Sequence, residues 1–493
     1  MLLGLAASRL VLHGFLGSGY GFHQDEFYYL ACGARPDWGY VDQPPLVPLL
    51  GRLATTIWGY TTITPGELRI FSALGAAGTI LLAGLLAREL GGGRFAQGLA
   101  ALTVGCAPLF LAAGEMFQTV VFDQTFWALT SWLVLRAWRR EPGREWLLVG
   151  LAAGVGLEVK NTMGLFGLGL AAALVLTAAG RRHLRTPWPW LGGALALVLL
   201  APNLFWQHAH GWPTAEFVRN NNARNREGWT VAGFALDQLK FLALGGLALA
   251  ALGLRRVFST QGTGGARAAG WIYLVALAVL LVTRGKSYYL GPAYPALVAA
   301  GSVAVGEWLA RRSKRVVLWQ TAVVAGVLVT ALPIAPAVLP LIPRERLADS
   351  WALRLNHEQA EMIGWPEMAA QVDAVFAGLS PDEQAQTVVQ TVSYGGAGAL
   401  EHYSHLPAVV MPPVSGHNNY WLWGPGPRDP QTVIIVGARR RQWLDDAYES
   451  VEQVATFDNP EHLDNETRGA GVWICRRPRV PLRAQWDGLK NIR

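Results

Sequence analysis

Four carboxylates stand among aromatic residues in the stretch Tyr20–Leu50, which lies between two apolar segments: Asp25, Glu26, Asp37 and Asp42. A carboxylate beside a membrane is costly unless it lines a wet cavity or does chemistry. A positioned carboxylate can take a proton from a hydroxyl group, and a second one can bind the same molecule or a metal ion. We therefore predict that this stretch is the floor of an active site with Asp25 and Glu26 as catalytic residues. The simpler interpretation of an Asp-Glu pair is a solvated loop start.

The motif DQPPL, residues 42–46, follows in the same stretch. Its two prolines fix φ and remove backbone donors, so the chain should turn rigidly into an amphipathic interfacial helix at 46–58. Such a turn would hold Asp42 near Asp25. An ordinary helix start with proline in its first turn explains the motif equally well.

A further acid, Asp123, lies within the apolar segment TVVFDQTFWALTSWLVLRAW, residues 119–138. An ionisable group inside a membrane helix is a functional candidate because it must face the protein rather than lipid. The alternative is a structural hydrogen bond to a neighbouring helix.

A few cations lie on the predicted outer side, with Lys160 and Lys286 at the ends of helices: Lys160, Arg219, Arg284 and Lys286. A lysine can hold an anionic phosphate as a point charge, and an arginine can bind it through a fork of donors. Arg219 belongs to the polar segment 207–235, which we expect to cap the cavity. Snorkelling to lipid headgroups would explain each cation without any ligand.

The composition indicates a membrane protein: 52% of the 493 residues are hydrophobic, 15% are charged, and the mean hydropathy is +0.25. The net charge of +7 does not suggest a nucleic-acid partner, because the basic residues fall in short clusters between apolar segments. The cysteines at 32, 106 and 475 are too far apart to suggest a metal site or a disulfide framework.

Because about 20 apolar residues span a bilayer, we predict about eleven membrane helices, at residues 2–20, 68–88, 95–113, 119–138, 145–158, 162–179, 188–207, 236–254, 269–283, 288–309 and 315–340. The first segment lacks a basic start and an A-x-A-type cleavage site, so we expect it to be retained. Alternate connections are rich in basic residues, which places them in the cytoplasm by the positive-inside rule. These are Arg88 and Arg94; Arg136, Arg139, Arg140 and Arg144; Arg181, Arg182 and Arg185; Arg255, Arg256 and Arg267; Arg311, Arg312, Lys314 and Arg315. The acidic loop is then extracytoplasmic.

The composition changes after Pro343, where the chain loses its spanning segments. We predict two units, a transmembrane domain at 1–343 with its catalytic first outer loop at 21–67, and a soluble extracytoplasmic α/β domain at 344–493. A helix is expected at 358–379, and strands at 387–394, 407–414, 432–437 and 471–477. The alternation of helix and strand signals favours a partly parallel sheet.

Five segments together resemble the glycosyltransferase family 39 and protein-mannosyltransferase-like group of bacterial membrane enzymes, which includes the aminoarabinose transferase of lipid A. They are HQDEFYYLACG, WGYVDQPPLVPLL, the helix that contains Asp123, VKNTMG and GKSYYLGPAYP. The resemblance covers roughly residues 1–310, and it implies a mainly helical GT-C fold in a multi-pass protein of the plasma membrane.

The resemblance also implies transfer of a sugar from a polyprenyl-phosphate carrier to a hydroxyl of a protein, lipid or glycan on the outer face. Asp25 matches the family's presumed base, with Glu26 beside it, and Lys286 matches a lysine that holds the carrier phosphate. Asp42 matches an acid that binds a divalent metal cation in relatives, and Asp123 matches the fourth-helix acid. The expected metal ligands are thus Asp42 and Asp123. The expected substrate and phosphate ligands are Gln43, Lys160, Arg219, Arg284, Lys286 and Tyr289.

Two other classes of protein remain as alternatives. A secondary transporter places polar residues near the membrane midplane on broken helices, often in repeated halves. Here the acids gather at one surface and no repeat is evident, so transport is disfavoured. A non-catalytic envelope assembly protein that binds a polyprenyl-phosphate sugar would bind the carrier without turning it over.

Overall fold

The computed structural model describes residues 1–139, 141–259, 264–312, 315–407, 410, 412–427 and 429–493. Two of the predicted cytoplasmic cations, Arg140 and Lys314, lie outside these residues, as does part of the predicted strand at 407–414. The helices of the first part are α1 (Leu2–Leu16), α2 (Gln24–Ala34), α3 (Leu46–Trp58), α4 (Pro65–Glu89), α5 (Arg94–Cys106), α6 (Pro108–Gly114), α7 (Thr119–Arg139), α8 (Glu145–Leu157), α9 (Met163–Leu176), α10 (Ala178–Leu184), α11 (Trp188–Ala209), α12 (Pro213–Asn225), α13 (Val231–Phe258), α14 (Gly264–Thr283), α15 (Tyr294–Ala310) and α16 (Val316–Ala331).

Within the described residues, six helical segments are long and apolar enough to cross a membrane, or up to eight if each of two bent pairs is one span. The six are Pro65–Glu89, Trp188–Ala209, Val231–Phe258, Gly265–Thr283, Ser287–Ala310 and Val316–Ala337. The bent pairs are α5 with α6, at 63°, and α9 with α10, at 102°. The protein is therefore a membrane protein with several apolar helices, and the count of eleven spans stays a prediction.

Proline and capping residues explain where these helices begin and bend. α3 begins directly after Pro45 and covers the predicted range 46–58. α4 begins at a capping box in which the side chains of Thr64 and Glu67 each bond the other's backbone N–H. α5 ends before Pro108, and Ala107 is extended there with ψ of 131°, because proline disfavours helical geometry in the residue before it.

The C-terminal part folds as helices around a five-stranded sheet, in the strand order β2-β1-β3-β5-β4. β1 pairs in parallel with β2 and β3, while β5 pairs antiparallel with β3 and β4. The strands are β1 (Thr387–Thr391), β2 (Val414–Ser415), β3 (Thr432–Ala438), β4 (Tyr448–Phe457) and β5 (Ala470–Pro478). The helices are α17 (Trp351–Leu355), α18 (Trp365–Ala377), α19 (Pro381–Ala385), α20 (Tyr394–Tyr403), α21 (Asn419–Trp423), α22 (Gln442–Ala447) and α23 (Leu482–Gln485).

The sheet is partly parallel, as expected, and three of the predicted strands correspond to β1, β3 and β5. The sequence analysis missed β4, an edge strand in which half of the ten residues are exposed and which therefore lacks a clear apolar alternation. The predicted helix 358–379 is divided: a 3₁₀ turn ends at Met362, Ile363 is extended, and α18 begins after Gly364, whose φ of 96° is not helical.

The outer loop 21–67 and the C-terminal part share one hydrophobic core. Phe22 and Phe27 from the loop pack with Trp365 and Leu400 from the C-terminal part. The guanidinium of Arg35 makes a two-pronged ion pair with Glu401, at 2.9 and 3.1 Å. The two predicted units are therefore joined by a packed interface, and the cavity described next lies along it.

Candidate active site

Six of the ten predicted site residues line one cavity of about 920 Å³: Asp25, Asp42, Gln43, Lys160, Lys286 and Tyr289. One wall comes from α2, the 42–43 turn and the connections that carry Lys160 and Lys286. Another part of the lining comes from residues at and just after the carboxyl ends of β1 and β3. Neighbouring parallel strands place their carboxyl ends together, and ligands of α/β folds commonly bind there.

Asp25 lies in the first turn of α2 and faces the cavity. Its side chain is 32% exposed, which leaves it open to a ligand. The Tyr394 hydroxyl donates a hydrogen bond of 2.7 Å to Asp25 Oδ1. The N-cap of the helix is His23, whose Nδ1 accepts the backbone N–H of Asp25 at 3.2 Å. Asp25 is thus a carboxylate whose position is fixed by a hydrogen bond and which remains accessible from the cavity.

Asp42 projects into the cavity from a tight turn closed by the Tyr40 N–H bonded to the Gln43 carbonyl, at 3.0 Å. The Tyr28 hydroxyl donates a 2.9 Å hydrogen bond to Asp42 Oδ1. Burial raises the pKa of Asp42 to about 7; the Tyr28 bond opposes the rise, and the charge of Asp25 adds to it. Asp42 therefore titrates near neutral pH.

Lys160 lies in the connection between α8 and α9, with its ammonium 5.4 Å from the ring centre of Tyr288 and 5.0 Å from that of Tyr289. Aromatic faces attract such a cation. Burial lowers the pKa of Lys160 to about 8, and the charges of Asp123, Asp25 and Asp42 partly offset this effect.

Asp123 does not line the cavity but lies buried in α7. The Thr162 hydroxyl donates a 2.7 Å hydrogen bond to Asp123 Oδ2. Thr162 belongs to the connection that carries Lys160, so the bond to Asp123 ties that connection to α7.

Glu26 points away from the cavity and is fully buried. Its carboxylate accepts bonds from Arg69 Nε at 2.8 Å, Arg69 Nη2 at 2.6 Å, Phe117 N at 2.8 Å and His23 N at 2.8 Å. A carboxylate so fully occupied fastens α2 to α4 and to the segment before α7. It does not contact the cavity in which Asp25 lies.

Two predicted phosphate ligands, Arg219 and Arg284, are exposed and lie outside the cavity lining. Arg219 belongs to α12, a helix within the polar segment 207–235. Phe217 and Arg224 of the same helix do line the cavity. The helical period explains the difference, because residues 217, 221 and 224 share one face and residue 219 lies on another.

The sequence analysis missed the cavity-lining residues of the C-terminal part, notably Tyr394 and His417. Tyr394 reaches Asp25 across 369 positions of the chain. No spacing rule relates residues so far apart. The only local signal is YGGAG after a predicted strand, which is typical of a close backbone approach.

The expected divalent metal does not fit these residues. Within the described part of the chain, no three His, Cys, Asp or Glu side chains converge as a ligand set. Asp42 Oδ1 is bonded to Tyr28, and the Lys160 ammonium already lies in the field of Asp25, Asp42 and Asp123.

Comparison with known proteins supports the fold. Residues 42–206, about a third of the chain, match the family model described as dolichyl-phosphate-mannose-protein mannosyltransferase. No curated protein sequence matches the chain. The architecture nonetheless matches solved structures of membrane glycosyltransferases over nearly its whole length.

ArnT from Cupriavidus metallidurans bound to undecaprenyl phosphate is 16% identical, over 95% of this chain and 97% of that chain, with a TM-score of 0.59. ArnT in the apo state is 17% identical, with the same coverage and TM-score. A mutant of the arabinofuranosyltransferase AftD from Mycobacteria is 14% identical, over 96% of this chain and 41% of that chain, with a TM-score of 0.51. These matches confirm, at the level of the fold, the resemblance to GT-C membrane glycosyltransferases predicted from the sequence.

Proposed function

We propose that this protein transfers a sugar from a polyprenyl-phosphate carrier to an acceptor hydroxyl, at the outer face of the plasma membrane. The observation that carries the proposal is the cavity in which Asp25, an accessible carboxylate, lies with the ammonium groups of Lys160 and Lys286. Sugar transfer from a lipid phosphate needs both a base for the acceptor and cations for the departing phosphate. The likeness of the fold to ArnT, solved with undecaprenyl phosphate, supports this assignment.

The carrier phosphate binds at Lys286 and Lys160. Lys286 also lines a second cavity of about 380 Å³, which shares Asp25 and Tyr288 with the first. Apolar residues of α6, α13 and the segment after α16 line it, among them Leu109, Phe241 and Val338. This second cavity receives the isoprene units next to the phosphate, so that the phosphate meets Lys286, which lines both cavities.

The sugar lies in the first cavity between the phosphate and Asp25. Asp42 and Gln43 line it and can bind sugar hydroxyls. Gln43 is 2% exposed, and its amide oxygen has no hydrogen-bond partner among the described residues. A buried oxygen of this kind is costly unless a ligand satisfies it.

Asp25 removes the proton of the acceptor hydroxyl while that oxygen attacks the anomeric carbon. The carbon–oxygen bond to the carrier phosphate breaks on the opposite side, so the configuration at the anomeric carbon inverts. The electron pair leaves with the lipid phosphate, whose charge Lys286 and Lys160 stabilise. By analogy, one hydrogen-bond donor of an oxyanion hole contributes about 3 kcal/mol in other enzymes.

The test is Asp25→Asn in purified protein supplied with a radiolabelled polyprenyl-phosphate sugar and envelope acceptors. Loss of a general base should slow transfer by at least about 100-fold. Asp37→Asn is the matched control, since Asp37 lies in the same loop but bonds its neighbour Trp38 N at 2.8 Å and does not line the cavity. Undiminished transfer by Asp25→Asn would exclude Asp25 as the base.

Uptake and binding assays distinguish a glycosyltransferase from a secondary transporter and from a non-catalytic assembly protein. Transport would give accumulation of label inside proteoliposomes without transfer. A carrier-binding assembly protein would retain the labelled carrier without turnover.

A further inference from the structure

The C-terminal part of the chain contributes a side chain directly to the proposed base. Tyr394 is the first residue of α20, and its hydroxyl lies 2.7 Å from Asp25 Oδ1. We infer that Tyr394 is a positioning residue that aims the Asp25 carboxylate and favours its charged form, so that the C-terminal domain completes the active site. This inference rests on the proposed function, in which Asp25 is the base.

The Tyr394 ring is clamped on both faces, which fixes the direction of its hydroxyl. On one face it stacks on Tyr28, with ring centres 4.6 Å apart and an angle of 28°. On the other it lies against His417, with centres 4.5 Å apart. The Tyr394 backbone N–H also donates to His417 Nδ1 at 3.3 Å. A side chain held this way loses little further freedom when it binds the carboxylate.

Two glycines of α20 set the distance between Tyr394 and Asp25. A Cβ atom at Gly398 would lie 2.6 Å from Phe27 Cβ, and one at Gly395 would lie 2.8 Å from Gln24 Cβ. Both contacts are closer than real Cβ atoms allow. The helix can therefore approach α2 only because these positions have no side chain, and this approach brings the Tyr394 hydroxyl within bonding distance of Asp25.

The same interface is fixed at two further points. Glu401 accepts hydrogen bonds from Arg35, from Tyr60 at 3.2 Å and from Tyr420 at 2.9 Å. At the second point, His23 Nε2 lies 3.0 Å from Glu358 Oε2. A domain attached at three points holds its tyrosine in a constant position, as a positioning role requires.

Tyr394 remains a donor at neutral pH. Burial raises the pKa of its hydroxyl well above the usual value, and the nearby charge of Asp25 raises it further. The other titratable groups that face Asp25 are His23, Tyr29, Asp42, Lys160, Lys286, Glu358 and Glu466. Their contributions stay in place when only the Tyr394 hydroxyl is removed.

The experiment compares pH–rate profiles of kcat/KM for the full-length protein and for Tyr394→Phe, which keeps the stacked ring. A carboxylate that loses a hydrogen-bond donor is easier to protonate, so the acidic limb should move up by about one pH unit. We expect kcat near neutral pH to fall by about tenfold, with the KM for the donor unchanged. The matched control is Tyr403→Phe, whose ring packs on Phe27 at the same interface with centres 5.7 Å apart; its profile should equal that of the unaltered protein.

An acidic limb that does not move in Tyr394→Phe overturns the inference, even if the rate or the stability changes. If Tyr394→Phe fails to fold, 3-fluorotyrosine at position 394 replaces it. The more acidic phenol should lower the acidic limb, and an unmoved limb again overturns the inference. Asp25→Asn, measured in parallel, distinguishes failure of this inference from failure of the proposed function. If Asp25→Asn remains fully active, the proposed function itself fails. If Asp25→Asn is inactive but the acidic limb of Tyr394→Phe does not move, only the role of Tyr394 is rejected.

Discussion

The two faces of α2 treat neighbouring carboxylates in opposite ways. Asp25 faces the cavity, is partly exposed and has Tyr394 as its hydroxyl donor. Glu26 faces the core, is fully buried and is bonded by Arg69 and two backbone N–H groups. Both residues stand in the first turn of the same helix, where Glu26 also closes a capping box by accepting the N–H of His23.

The difference between Asp25 and Glu26 shows that exposure to the cavity decides which of these two carboxylates can react. A buried carboxylate must be paired with a cation and fully hydrogen-bonded, because its desolvation is costly. That requirement uses the lone pairs of Glu26 and leaves it a structural residue. Asp25 keeps its Oδ2 side 3.9 Å from His23 and open to the cavity, so it can exchange a proton. A comparison of Glu26→Gln with Asp25→Asn tests this contrast directly.

The largest effect on stability should come from Glu26→Gln. Removing one partner of a buried ion pair leaves the other charge uncompensated, and here that charge is Arg69. We expect the free energy of unfolding to fall by about 3–5 kcal/mol. Unfolding in detergent followed by tryptophan fluorescence measures it. Asp25→Asn is the comparison on the cavity face and should change stability by less than about 1 kcal/mol; equal losses in both variants would contradict the contrast.

The next largest effect, on the transfer rate, concerns Lys160, one of the two lysines that line the cavity. Lys160→Met should lower transfer by roughly 100- to 1000-fold, as loss of one fixed charge at a developing anion does elsewhere. Binding of the carrier should weaken much less, since Lys286 remains. Single-turnover assays with the labelled carrier separate the two quantities. A Lys160→Met protein that retains its rate would remove Lys160 from the mechanism.

A pH prediction follows from the same residue. The pKa of Lys160 is lowered to about 8 by burial, so the rate should fall as the pH rises through about 8 and the ammonium loses its proton. Lys160→Arg keeps its charge at that pH and should move this alkaline limb upward. The free energy of unfolding should rise with pH between about 8 and 10.5, because over this range the folded chain binds fewer protons at Lys160 than the unfolded chain does. An alkaline limb that stays in place in Lys160→Arg would assign it to another group.

The smallest effects separate the predicted phosphate ligands. Lys286 lines both cavities, whereas Arg284, two residues earlier, is exposed. We expect Lys286→Ala to raise the KM for the carrier about tenfold and Arg284→Ala to change it less than twofold. Arg224→Ala and Arg219→Ala form the same kind of pair on α12. A larger effect from the arginine that does not line the cavity, Arg284 or Arg219, would move the phosphate site outside the cavity.

Local features were the most predictable from the sequence. The interfacial helix predicted at 46–58 is α3 at Leu46–Trp58, and the helix predicted at 119–138 is α7 at Thr119–Arg139. Apolar length, proline positions and capping residues act within a few positions of the chain, so they can be read directly. The motif pieces around Asp25, Asp42, Lys160 and Lys286 indicated a common site, and the structure brings these four residues to one cavity.

The sequence by itself determined that acids and isolated cations are available near one end of an apolar helix bundle. Only the tertiary structure decided which of them share the cavity. It turned Glu26 into the core against Arg69, placed Arg219 on the outer face of α12, and brought Tyr394 to Asp25. The physical reason is that burial and hydrogen bonding depend on partners hundreds of positions away, whereas helix formation depends on residues within one or two turns.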